Sequence, residues 1–214
     1  MNNSIVKLFA ILALCANLNA HAETAAGQLS LGQPASGQPA VSASELPKML
    51  IYIQSVEYTS PISLWSPYQN YWFYHGPIVE GQAMEKLSQS YGDVGFCEAN
   101  QSAKTLVWLK PKMFYNPQVQ MFYAEVVANI YTGMGKLIGS YVGESKQHGF
   151  LNAQAEGWIT KAYGLAIDDM ISKMQADTAL QALLDNANIA TAADAAACSS
   201  VTLFPIPKIR LMSF

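Results

Sequence analysis

The chain has 214 residues, of which 51% are hydrophobic, 13% are charged and 11% are aromatic. Twelve lysines and arginines against fifteen aspartates and glutamates give a net charge of −3 at pH 7. Sequence-independent binding to nucleic acid, or to an anionic membrane surface, depends on clustered cations, so this balance argues against both. A chain this apolar and this rich in aromatic residues is not wholly disordered.

The first residues have the pattern of an export signal. Lys7 precedes an apolar run at 8–16 that is too short to span a bilayer, and Ala20-His21-Ala22 offers a cleavage site with small residues. We therefore predict a signal peptide over residues 1–22 and a periplasmic protein, peripheral to the outer membrane if it contacts a membrane. No second run of eighteen apolar residues follows, so we expect no transmembrane segment in the mature chain.

Cys15 allows a competing interpretation of the same segment. Bacterial lipoproteins carry a lipidated cysteine at the cleavage site, preceded by a small residue. Here the preceding residue is Leu14. Because of this departure we expect Cys15 to be an apolar filler of the signal and not a lipid anchor.

Two cysteines, Cys97 and Cys198, remain after the predicted cleavage. Only one pairing is possible, and an exported protein meets an oxidising compartment. We predict a disulfide between them that ties the C-terminal tail to the domain, the alternative being two unrelated thiols.

Beyond the signal, residues 23–44 repeat Gly-Gln-Pro-Ala imperfectly and lack aromatic residues. Such a segment cannot bury enough apolar surface to offset its ordering entropy, so we predict a disordered spacer there. Residues 45–214 are then expected to form a single domain.

Hydrophobic periodicity predicts the elements of this domain in chain order. They are a strand at 48–59, an aromatic loop at 60–76, a helix at 78–91, strands at 103–115, 119–131 and 137–145, a helix at 152–174 capped by Asn152, a short helix at 178–185 and an extended segment at 201–214.

This order predicts an α+β fold. Strands joined by short turns form antiparallel sheets, and amphipathic helices must bury their apolar stripes. We expect a two-layer sandwich in which two helices cover one face of an antiparallel sheet of about four strands.

The segment 65–76 is the most unusual feature of the sequence. It holds seven ring side chains in twelve residues. Aromatic rings with a polar tip favour interfaces, because one end is apolar and the other stays hydrated. We interpret six of them as a docking surface for a protein or glycan; the alternative is that most rings pack back over the sheet. The six are Trp65, Tyr68, Tyr71, Trp72, Tyr74 and His75.

The sequence offers little that points to chemistry. His75 and His148 are the only histidines after the signal, and neither lies in a metal-binding motif. No serine or cysteine has a recognisable base and orienting partner. We therefore expect no enzyme, no cofactor and no metal.

The hairpin Val119–Ser145, with its Tyr131-Thr-Gly-Met-Gly-Lys136 turn, and the following helix Asn152–Met174 carry a resemblance. The order of elements from Lys48 to Met174 resembles small α/β domains of periplasmic auxiliary proteins in Gram-negative envelopes. These include the amino-terminal domain of the Tol-Pal translocation protein and the lipoprotein partners of lipopolysaccharide transport and of curli or exopolysaccharide secretion.

This resemblance implies a non-catalytic accessory protein that docks onto a larger envelope complex for transport, secretion or assembly, or that assembles with itself. The alternative function is a carrier that holds a lipid or glycan between sheet and helices. We expect no nucleic-acid partner.

Overall fold

A computed structural model of the chain describes residues 47–98, 101–132, 135–185 and 196–199. The strands are β1 Met49–Ile53, β2 Ile62–Ser66, β3 Gln69–Phe73, β4 Val94–Phe96, β5 Ser102–Ala103, β6 Thr105–Asn116, β7 Met121–Thr132, β8 Lys136–His148 and β9 Ala196–Ala197. The helices are α1 Val56–Thr59, α2 His75–Tyr91, α3 Ala155–Ala176 and α4 Thr178–Asp185.

The main sheet has five strands in the order β4-β1-β6-β7-β8. Strands β6, β7 and β8 form an antiparallel meander, whereas β1 is parallel to both β4 and β6. The predicted α+β class is confirmed. The predicted sheet of about four antiparallel strands is only roughly right, because β1 reaches its neighbours through long crossover connections and not through hairpins.

Tight turns explain the meander. Gln120 has a φ of 51° before β7, and Gly135 has a φ of 79° before β8. Positive φ is accessible to glycine at no steric cost and lets the chain reverse within a few residues. All three meander strands lie within three residues of their predicted bounds.

The helices α2 and α3 pack on one face of the sheet and close the main core. The apolar stripe of α3 is fully buried there, with Ile159, Tyr163 and Ile167 among its largest members. The backbone of α3 approaches β8 so closely that a Cβ added to Gly143 would lie 1.9 Å from the Ala166 carbonyl oxygen. Only glycine fits this position.

The opposite face of the sheet is covered at one end by the predicted disulfide. Cys97 and Cys198 are bonded, across 101 residues of sequence. Both pack against a second apolar cluster, which includes the completely buried Leu106 and Trp108. The pairing of β5 with β9 holds the same two segments together.

Other predictions about the elements differ from the structure. The first strand ends at Ile53 and not at Thr59, because the chain turns into α1. The predicted loop at 60–76 is a β-hairpin, β2–β3, that leads directly into α2. The helix α3 begins at Ala155; Asn152 accepts a hydrogen bond from the Gln154 N–H (2.9 Å) and forms a turn ahead of the helix instead of capping it.

The predicted signal peptide, Cys15, the spacer and the extended segment at 201–214 lie outside the described residues. Within the described part of the chain, no helix is long and apolar enough to cross a membrane.

Candidate docking surface

The β2–β3 hairpin has two faces of different character. Ile62 pairs with Phe73, and Leu64 pairs with Tyr71, so these four side chains share one face. That face packs against the main core, with Leu64 and Phe73 buried. The opposite face therefore points away from the core.

The outer face of the hairpin is aromatic. Trp65 pairs with Asn70, and Trp72 pairs with Ser63, which places the two indoles diagonally across the strands. The exposed fractions are 60% for Trp65, 62% for Trp72, 96% for Tyr68 at the turn and 44% for Tyr74 at the end of β3. We name these four residues the aromatic face.

The turn of the hairpin is closed by a serine. The Ser66 hydroxyl donates to the Gln69 carbonyl oxygen (3.1 Å) and accepts from the Gln69 N–H (3.3 Å). This reciprocal pair fixes the two-residue connection, Pro67-Tyr68, and so presents Tyr68 to solvent.

Both ends of the hairpin are fixed by the element before it. In α1, the Tyr58 hydroxyl donates to Glu80 Oε2 of α2 at 2.6 Å. The Tyr58 ring lies against Gly76, where an added Cβ would come within 2.6 Å of it. Burial, reinforced by the Glu80 carboxylate, raises the pKa of Tyr58, which stays a neutral donor. These contacts join α1, which precedes the hairpin, to α2, which follows it.

Two of the six predicted docking residues face inward. Tyr71 lies on the core face of β3, and His75 is only 5% exposed at the start of α2. His75 Nδ1 shares a hydrogen bond with the Tyr163 hydroxyl, and its ring meets Phe73 edge-on at 5.2 Å. Burial lowers the pKa of His75 to about 4, so the imidazole is neutral at pH 7.

The aromatic face continues toward the sheet through a groove. This groove, of about 450 Å³, lies between β2 and the end of β6, with Trp65 on one side and Phe114 on the other. Phe114 is 60% exposed on the face of the sheet opposite the helices.

A second groove, of about 950 Å³, begins at Phe114 and crosses the meander to the edge of β8. Phe114 and Tyr123 face each other at 5.9 Å, and Lys146 lies 5.8 Å from the Tyr123 ring. Lys112 forms an ion pair with Glu125 at 2.6 Å. In the sequence, Phe114 alternates with other residues on the same side of β6 as Lys110 and Lys112, and this polar pattern is the signal that could have indicated an exposed surface.

Among the described residues, no group of three or more His, Cys, Asp or Glu side chains could hold a metal ion. The absence of an enzymatic activity, a cofactor and a metal stays a prediction from the sequence.

Comparison with family models, with curated proteins and with solved structures gives no match for this chain. The resemblance to envelope accessory domains therefore stays a prediction from the order of elements.

Proposed function

We propose that the protein is an exported, non-catalytic accessory protein of the bacterial envelope that binds another protein through its aromatic face. One observation carries this proposal: the β2–β3 hairpin exposes Trp65 and Trp72 together, although its other face is anchored in the core. Large aromatic side chains dominate the binding energy of interfaces and are costly to leave in water without a partner.

The composition of the surface favours a protein partner. Tryptophan and tyrosine are enriched at protein interfaces, where they supply a large contact area with few rotatable bonds. The polar residues between them, Ser63 and Asn70, can satisfy hydrogen bonds at the rim. The predicted export signal and the topological resemblance support an envelope complex as the setting.

The proposal predicts that Trp65→Ala with Trp72→Ala abolishes partner capture without unfolding the protein. Both indoles are more than half exposed, so their loss should leave the melting temperature nearly unchanged. The measurement compares the proteins that copurify with wild-type and variant chains expressed in the native cells.

Leu165→Ala is the matched control, because Leu165 is 42% exposed on α3, outside the aromatic face. The control should retain the captured protein. Equal capture of the partner by the double variant and the wild type would refute the proposal. Unfolding of the double variant would also refute it, because the loss of capture would then follow from the loss of the fold.

The alternative is a carrier that holds a lipid or glycan between sheet and helices. Between β8 and α3 such a ligand has no room, because the backbone of α3 lies directly against Gly143. This close packing is our reason for preferring the accessory protein that binds another protein. A lipid that copurifies in native mass spectrometry would favour the carrier.

A further inference from the structure

The strand β6 is longer than its neighbour β1. Pairing of β1 with β6 ends at Ile53 and Leu109, whereas β6 continues to Asn116 paired with β7 alone. The last part of β6 therefore has an edge that faces away from β7.

The direction of the backbone groups along this edge follows from the start of the strand. The Thr105 N–H donates to the Lys48 carbonyl oxygen (3.2 Å), so Thr105 points its backbone groups toward the β1 side. The register with β7 runs without a bulge from Leu106 to Asn116, so alternate residues keep this direction. Pro111, Met113 and Tyr115 thus face the free edge.

Pro111 is consistent with this assignment. Proline lacks an N–H and is tolerated in a sheet where no ladder partner needs one. After it, Met113 and Tyr115 present two N–H and two C=O groups. Among the residues that the structure describes, none pairs with these backbone groups.

At the edge of β8, by contrast, side chains of α3 bond to the outward backbone groups. There Asp169 of α3 accepts the Glu144 N–H at 2.9 Å, and Lys173 donates to the Val142 carbonyl oxygen at 2.7 Å. These side chains occupy the edge groups that would otherwise pair with another strand. No described side chain does the same for Met113 and Tyr115.

The free edge of β6 forms one side of the 450 Å³ groove beside β2. Trp65 lines the groove on the hairpin side, and Phe114 lines it on the open face of the sheet. A strand added here would place its alternate side chains against these two exposed rings, since successive side chains of a strand point to opposite faces.

We propose that the free edge of β6 at Met113 and Tyr115 binds an extended segment of a partner protein by strand addition. The segment pairs its backbone with these two residues and carries apolar side chains that contact Trp65 and Phe114. Main-chain hydrogen bonds supply affinity in this mode, and pockets for alternate side chains supply specificity. The inference rests on the proposed function, because Trp65 belongs to both surfaces.

The test uses the full chain and a displayed library of random peptides as the probe. Selected peptides are measured against Met113→Pro and its matched control Met113→Ala. Both variants lose the same partly buried side chain, but only proline removes the N–H at the edge. We expect alternating apolar peptides that bind Met113→Ala like the wild type and Met113→Pro about tenfold more weakly or worse. Melting curves of the two variants verify that both remain folded.

Amide hydrogen exchange supplies the second readout. The Met113 and Tyr115 amides should exchange rapidly in the free protein and slowly with a selected peptide bound. Protection in the free protein would overturn the inference, because the edge would then be occupied by this chain or by a second copy.

Failure to enrich any peptide, or equal binding to both Met113 variants, would also overturn strand addition. The proposed function fails separately, through unchanged capture by the Trp65→Ala and Trp72→Ala chain. The double tryptophan variant could lose partner capture while Met113→Pro still binds the selected peptides fully. That result would support the aromatic face as the docking surface and refute only strand addition at β6.

Discussion

Among single residues, His75 couples the stability of the folded protein to pH. Its imidazole is buried between Phe73 and Tyr163, and burial lowers its pKa from 6.5 to about 4. The unfolded chain therefore binds a proton that the folded chain excludes. Between these two pKa values, stability falls as the pH falls.

We predict that acidification from pH 7 to pH 5 removes about 2 kcal/mol of unfolding free energy through His75 alone. Urea unfolding at the two pH values measures the total loss. His75→Gln should reduce that loss, and His148→Gln is the matched substitution of an exposed histidine on β8. An equal pH dependence in wild type and His75→Gln would contradict this assignment.

At the scale of elements, the disulfide completes the second face of the sheet. Cys97 and Cys198 enclose a loop of 101 residues and cover Trp108 on the side opposite the helices. Cross-linking a long loop lowers the entropy of the unfolded chain, and here it also keeps an apolar cover in place.

Replacing both cysteines by alanine should lower the free energy of unfolding by about 2–5 kcal/mol. Urea titrations of the two proteins measure this difference. Thiol titration of the native wild-type protein is the control, and we expect no free thiol from these two cysteines. Two reactive thiols, or equal stability, would contradict the role of the disulfide.

Several elements could be predicted because their signals are local. The helix α4 has the predicted bounds, and Asp177 just before it accepts hydrogen bonds from the N–H groups of Ala179 and Leu180. The helix α2 begins three residues before its predicted start. Pro77 lies in its first turn, where a proline is tolerated because the first N–H groups of a helix need no partner within it.

Other elements could not be predicted, because their signals are not local. The hairpin β2–β3 turns through Pro67-Tyr68, which lacks the glycine of common hairpin turns, and its aromatic residues lie on both faces, so no apolar alternation marks it. The parallel pairing of β1 depends on a crossover that contains the hairpin, α2 and β4. A sequence pattern does not contain this long-range register.

The candidate surface was partly predictable for the same reason. Once the segment is a strand, alternation directs Tyr71 and Phe73 inward and Trp72 and Tyr74 outward. A prediction of a loop for the same segment does not indicate which of its aromatic side chains are exposed. Four of the six predicted docking residues are exposed, and Phe114 joins them through the groove beside β2.

In the molecule as a whole, the residues that stabilise the described domain are different from those that are exposed for binding. The core and the disulfide hold the sheet, and α1 with α2 holds the hairpin. Two neighbouring features of the described residues have no partner within the domain: the exposed side chains of the aromatic face and the free edge of β6 beside it. We therefore expect a protein to be bound at this surface in the cell.

The most direct measurement is photocrosslinking in living cells from a photoreactive residue placed at Trp72, with the same residue placed at Leu165 as the control. We expect a discrete protein adduct from position 72 that position 165 does not give. Absence of a protein adduct from position 72, or an adduct to lipid or glycan alone, would contradict this expectation.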